Sequence, residues 1–247
     1  MKRSIVLCIA IILCGALFGS NLKDRERLVF EIKYGFITAG EATLNIQKTE
    51  YRNVDAWRIF VTAETNSFFD GVFRVRDFIE SMATYDNLYS LRFTKRLQEG
   101  RYRQHRIMQN YLSQGFSTYS RFNYKTGVFT ESRITIPSNT YDLMSAFYYI
   151  RTQNLAPGNA IPVNVSVDGK SYDAIIHVER RETIDTLFGR RSCVVIRPAL
   201  QGDAIFKQSG DIFIWLTDDA DKVPVLLQSK VPFGHFRAVL SKVETVA

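Results

Sequence analysis

The chain has 247 residues, 46% of them hydrophobic and 13% aromatic, and a formal net charge of +7. This modest basic balance is compatible with anionic envelope surfaces, lipid head groups or acidic glycans. Cys8 and Cys14 fall in the first segment of the chain and leave Cys193 alone in the remainder, which excludes an internal disulfide there. Stability must therefore come from a hydrophobic core.

Residues 1–20 read as an export signal. Lys2 and Arg3 form a basic start, Ile5 to Phe18 an apolar run of 14 residues, and Gly19 and Ser20 supply the small side chains of a cleavage point. Fourteen helical residues reach roughly 21 Å, short of the roughly 30 Å hydrocarbon core, so the run is read as a signal peptide and not a span. Leu13, directly before Cys14, argues against lipidation at that cysteine. Cleavage leaves residues 21–247 as a single β-rich exported domain. The expected location is the periplasm or the outer envelope, and export argues against nucleic acid as a partner.

Beyond residue 20 the dominant pattern is period two, which sends alternate side chains to opposite faces of a strand. Leu28, Phe30, Ile32 and Tyr34 alternate with Val29, Glu31 and Lys33. Trp57, Ile59, Val61 and Ala63 alternate with Arg58, Phe60 and Thr62. Phe73, Val75, Asp77 and Ile79 oppose Arg74, Arg76, Phe78 and Glu80, and Leu91, Phe93 and Leu97 continue the habit. The pattern then changes. Leu143, Ala146, Phe147 and Ile150 form one stripe of a helix over 138–151, with Asn139 or Thr140 as cap, Asp142 in the first turn and Arg151 in the last. Leu155-Ala156-Pro157-Gly158 ends it. Further strands are expected at 162–168, 171–181, 192–199, 210–217, 223–230 and 234–243. Asp168-Gly169 is the strongest hairpin signal, since a type I′ turn needs positive φ. Cys193, inside the apolar run Ser192–Ile196, reads as a buried small hydrophobe.

Two basic strands stand out as candidate sites. Arg74, Arg76 and Glu80 share one face of the first. In the second, residues 92–106, Arg101, Arg103 and His105 share a face. Such a strip suits phosphate or carboxylate groups, which arginine matches with two parallel bonds. The competing reading is a solvated face, or cross-strand pairs with Asp77 and Glu80. Asp218, Asp219 and Asp221 lack the spacing of a calcium loop and fit a tight turn. His105, His177 and His235 sit in no metal-ligand spacing, and there is no nucleophile elbow, phosphate loop or dinucleotide fingerprint. No catalytic residue, metal or cofactor is assigned. The abundant aromatics suit either an ordinary β core or a concave lining for an acyl chain.

Several stretches then occur together: Tyr34–Ala42, Thr65–Asp70, Val75-Arg76-Asp77, Asp142–Arg151, and Trp215–Asp219 followed by Val223-Pro224-Val225. In order and spacing the chain resembles the bacterial exported family known as domain of unknown function 3108, over nearly all of its length past residue 20. The resemblance implies an envelope-associated, β-rich protein and carries over no activity.

The expectation is thus an all-β, mainly antiparallel barrel or curved half-barrel with one central helix near 139–152 between two β halves. Its function is expected to be non-catalytic binding of a lipid, glycan or protein partner in the envelope, with peripheral membrane contact compatible. Alternatives are a glycan hydrolase using paired carboxylates such as Asp77, Glu80 or Asp218, and an assembly scaffold. Arg74, Arg76, Arg101 and Arg103 are the candidate anion contacts. Trp215 and Asp218 are added because they lie in a motif of the resembled family.

Overall fold

A computed structural model describes residues 22–200, 212–231 and 234–245. The expected signal sequence lies outside the described residues. Among them, the first half carries β1 (Glu26–Tyr34), β2 (Ile37–Tyr51), β3 (Val54–Thr65), the short helix α1 (Ser67–Asp70), β4 (Arg76–Thr84), β5 (Ser90–Glu99), β6 (Tyr102–Tyr111), β7 (Phe116–Asn123), β8 (Val128–Thr135) and β9 (Thr140–Tyr141). After α2 (Leu143–Arg151) come β10 (Ala160–Val167), β11 (Lys170–Thr186), β12 (Gly189–Leu200), β13 (Ile212–Thr217), β14 (Pro224–Val231) and β15 (Gly234–Thr245).

All fifteen strands belong to one sheet, in the order β8-β7-β6-β5-β4-β3-β2-β1-β15-β14-β13-β12-β11-β10-β9. Each half is a meander, and β1 pairs with β15 to join the halves in the middle. The shape follows from the connection between the two edges. The chain leaves β8 at one edge and begins β9 at the other, with only Ile136–Asn139 between them. Five Cα steps reach at most about 18 Å, so the sheet must curl until its edges nearly meet. β8 touches β11, yet among the described residues no ladder joins the edges, and the curl stays unclosed.

The β10–β11 turn fastens the curl. Asp168 and Gly169 both have positive φ (51° and 79°), as the Asp-Gly signal requires. The turn lands on the opposite limb, where Asp168 meets Lys95 Nζ at 2.8 Å and Arg106 at 2.9 Å. Gly169 lies so close to the Tyr119 ring that a Cβ would stand 2.6 Å from Tyr119 Cδ1. Glycine is needed there for conformation and for space.

The helix begins later than the sequence suggests. Thr140 and Tyr141 are spent on β9, which runs parallel to β10 opposite Asn164 and Val165. Parallel neighbours require a crossover, and α2 is that crossover. The cap therefore falls on Asp142, not on Asn139 or Thr140. Asp142 is fully buried and accepts from Met144 N at 2.8 Å and Ser145 N at 3.0 Å. The same carboxylate accepts from Ser81 Oγ on β4 and Ser90 Oγ on β5, both at 2.6 Å. At the other end Arg151 grips Glu26 of β1 with two bonds of 2.7 and 3.0 Å and donates to Asp221 O at 3.1 Å. The helix is fixed at both ends to the inside of the curl.

A second difference concerns the strand expected from Phe73. It starts at Arg76, because Asn66 caps α1 by accepting from Phe69 N at 3.0 Å and the chain needs residues 71–75 to return to the sheet. The core lies between α2 and the concave face, around Leu28, Ile46, Trp57 and Ile59 from one half and Val178, Ile196 and Leu216 from the other. Cys193 is buried and unbridged, and burial pushes its thiol up to about 11, far from a nucleophilic thiolate.

Candidate functional site: an apolar groove inside the curl

Strand alternation decides what the groove is made of. On β1, Leu28, Phe30, Ile32 and Tyr34 point inward, as their period predicts. Register then extends one inward row across the middle of the sheet. Ile32 stands opposite Ala238, Ala238 opposite Leu227, Leu227 opposite Ile214, and Ile214 opposite Ile196. Five strands thus contribute five adjacent apolar side chains to one transverse track.

Three cavities lie along this track. The inner one, about 310 Å³, sits between α2 (Met144, Phe147, Ile150) and Ile196, Ile214 and Leu227 of the second half. The middle one, about 140 Å³, shares Met144, Phe147 and Leu227 with it and adds Phe30, Ala42 and Ala238. The third, about 360 Å³, lies at one rim between Ile32, Tyr34, Ala63 and Phe236 on the sheet and Phe69, Val72 and Phe73 of the α1 segment. Its wall adjoins the middle cavity through the Ile32–Ala238 and Ala42–Ala63 neighbours. Two of the three cavities fall within the size range of small-molecule pockets, and the lining is mainly aliphatic and aromatic, with Thr43 in the middle cavity and Glu41, Glu64 and Thr65 in the rim cavity.

The rim cavity is built by segments far apart in sequence. A register shift between Ile32 and Lys33 leaves Ala39 unpaired against β1, and Gly40 then lies against β3, where a Cβ would stand 2.1 Å from Glu64 O. Asn66 N donates to Ala39 O at 3.0 Å and Asn66 Nδ2 to Thr38 O at 2.8 Å. Asp70 accepts from Thr65 Oγ1 and from both terminal nitrogens of Arg76. That guanidinium holds Asp70 below the usual carboxylate range. Tyr34–Ala42, Thr65–Asp70 and Val75-Arg76-Asp77 therefore converge on one structure, the overhang of the rim cavity.

The six residues proposed from sequence do not form one site. Arg76 is committed to Asp70, with Glu64 at 3.7 Å. Arg74 and Arg101 are exposed in neighbouring loops at the rim. Arg103 is exposed nearby and held on Gly100 O and Tyr102 O. Trp215 and Asp218 lie in the other half of the sheet. Since Ile214 lines the groove, Trp215 faces away from it, buried, with its indole N–H on Glu182 Oε2 at 3.2 Å. Asp218 pairs with Arg181 at 2.8 Å. The neighbouring Asp219 accepts from Thr217 Oγ1, Asp221 N and Lys222 N, so the aspartate cluster folds as a turn.

The basic strip divides in the same way. Arg103 and His105 face outward, whereas Lys95 and Arg106 face inward and hold Asp168. The carboxylates named for hydrolysis are also separated. Glu80 points outward to Arg58 at 2.7 Å, Asp77 points inward near the rim, and Asp218 sits at the opposite end of the sheet. Asp77 does meet a second acid, Glu99, and burial raises both carboxyls above their ordinary range. Among the described residues no group of His, Cys, Asp and Glu is arranged to hold a metal.

Strand periodicity does not announce α1, the Ala39–Gly40 bulge or the inward role of Lys95 and Arg106. The first had a signal in Asn66 three residues before Phe69. The last had none, because their partner Asp168 is about 70 residues away.

Fold and site together define a barrel-like, unclosed antiparallel sheet with a helix and an apolar groove inside it. The structure resembles a β-barrel-like protein of domain of unknown function DUF1849 from Brucella abortus, with a TM-score of 0.62, 10% identity, and coverage of 90% of this chain and 98% of that one. A protein with a YmcC-like fold from Bacteroides fragilis aligns at a TM-score of 0.38 and 7% identity, over 90% of this chain and 96% of that one. No curated protein matches the sequence significantly. Residues 29–241 match the model of the family DUF3108, protein of unknown function, and the chain belongs to that family.

Proposed function

We propose that this protein is a non-catalytic binder of acyl-chain lipids in the cell envelope, with the chain held in the groove between α2 and the concave sheet. The observation that carries this reading is the contiguity of the three apolar cavities along the Ile32–Ala238–Leu227–Ile214–Ile196 row. An elongated apolar ligand fits such a track better than a compact polar one, because each methylene moved out of water there gains about 0.8 kcal/mol. The carboxylates expected to serve a hydrolase, Asp77, Glu80 and Asp218, do not come together, and of them only Asp77 meets another acid, Glu99. Binding is therefore the better supported reading, with the export signal expected from the sequence pointing to the envelope. Organic extraction of the purified protein followed by mass spectrometry tests the proposal. Acyl lipid near one molecule per chain supports it. Empty protein that also fails to take up a fluorescent fatty acid contradicts it.

A further inference from the structure

The mouth of the groove has an outer surface that ligand binding accounts for only in part, since Val72 and Phe73 also line the rim cavity whereas Phe36 and Phe68 do not. Phe36, at the tip of the β1–β2 turn, is 101% exposed, Phe68 and Val72 of the α1 segment 74% and 75%, and Phe73 52%. These loops stand side by side and are tied together by Asn66 N to Ala39 O and by Gly100 N to Arg74 O at 2.7 Å. Phe73 lies over Gly100, so the β5–β6 turn joins the same rim. Behind the apolar tips stand the exposed cations Arg74, Arg101 and Arg103. Of the acids nearby, Asp70 is held by Arg76 and Glu99 lies against Asp77, while the exposed Glu41 and Glu64 stand opposite each other on β2 and β3, on different strands from the three arginines.

A contiguous set of protruding aromatics on a soluble face marks an interaction surface. We infer that this rim docks on an anionic lipid membrane, with Phe36, Phe68 and Val72 entering the interface and the three arginines resting on acidic head groups. Apolar tips backed by cations are the arrangement by which peripheral proteins engage such surfaces, and each cation adds to the attraction as long as salt does not screen it. A protein partner would need a complementary acidic, apolar face. A bilayer presents both properties without further specificity. The docked orientation would also turn the mouth of the rim cavity toward the lipid.

Vesicle co-sedimentation tests the inference, and it does not depend on the groove reading. The full chain and the chain from Asn21 onward are both run, so that adsorption by the apolar leader is separable. Binding to phosphatidylglycerol-containing vesicles, much weaker binding to phosphatidylcholine and loss in high salt are expected. Phe36→Ser combined with Phe68→Ser should lower partitioning about tenfold or more, with unchanged thermal unfolding and unchanged fatty-acid uptake in solution. Arg74→Gln with Arg101→Gln should abolish the preference for acidic lipid. Equal binding of the double phenylalanine variant, or no preference for anionic vesicles, overturns the inference. So does a wild-type dimer in solution that these substitutions dissolve while vesicles go unbound, because the rim would then serve a second copy. Loss of fatty-acid uptake with vesicle binding intact counts against the groove alone.

Discussion

Arg151 and Glu26 show how much a single pair can carry in this molecule. Both are nearly fully buried, at 3% and 5% exposure, and each supplies what the other lacks, two donors facing two acceptors. Removing one partner leaves an uncompensated charge inside the fold, which typically costs about 3–5 kcal/mol. Arg151→Met and Glu26→Gln should each lower stability by about that amount in urea unfolding, and the double variant Glu26→Met/Arg151→Met should recover a good part of the loss. Equal stability of the single variants and the wild type would show that the pair is solvated in solution. The sequence placed Arg151 correctly in the last turn of its helix, but for the dipole. The partner that decides its role is 125 residues away and invisible to local reading. Asp168-Gly169 is the opposite case, since its turn is encoded by two adjacent residues. Only its landing on Tyr119, Lys95 and Arg106 required the structure.

α2 was legible as an element and misplaced at its start. Its apolar stripe of Leu143, Ala146, Phe147 and Ile150 is local, whereas the use of Thr140 and Tyr141 as a parallel strand depends on β10. Asp142 is thereby made the cap and also the acceptor of two serine hydroxyls from β4 and β5. Burial raises its carboxyl above the ordinary value, against the pull of its donors. The folded state therefore binds the proton more readily than the unfolded chain does. Its contribution to stability is larger at low pH and declines as pH rises from the ordinary aspartate range of about 4 through the higher folded value. Asp142→Ala should lose roughly 2–4 kcal/mol at neutral pH, from the cap and the stranded hydroxyls. Asp142→Asn should lose less, because its amide oxygen still accepts from Met144 and Ser145. Denaturant unfolding from pH 7 to pH 4 should show the wild type gaining on the asparagine variant as pH falls. A gap that instead widens against the wild type on acidification would show that the carboxylate is the favoured form.

For the whole molecule, periodicity conveyed strands and class, and the later strands fell close to their expected bounds. What it could not convey is which strands are neighbours. The pairing of β1 with β15 joins residues more than 200 positions apart, and it is this pairing that sets Ile32 beside Ala238 and completes the apolar row. The candidate site was correspondingly hard to read. The basic residues were visible as a run of charge, but their division between the two faces depends on register, which a one-residue error reverses. The groove arises from small side chains, Ala42, Ala63 and Ala238, set among large ones in adjacent strands. No local pattern announces that combination.

The central claim is that this track holds an acyl chain, and a groove-filling substitution tests it most directly. Ala42 faces the narrow middle cavity, opposite Phe30 and Ala63. Titration of a fluorescent long-chain fatty acid into wild-type protein should saturate near one per chain, and Ala42→Phe should weaken that binding about tenfold or more with a near-native unfolding transition, as expected when a bulky ring occupies the ligand's path. Undiminished, saturable uptake by a folded Ala42→Phe variant, or no saturable uptake by the wild type, would contradict the account.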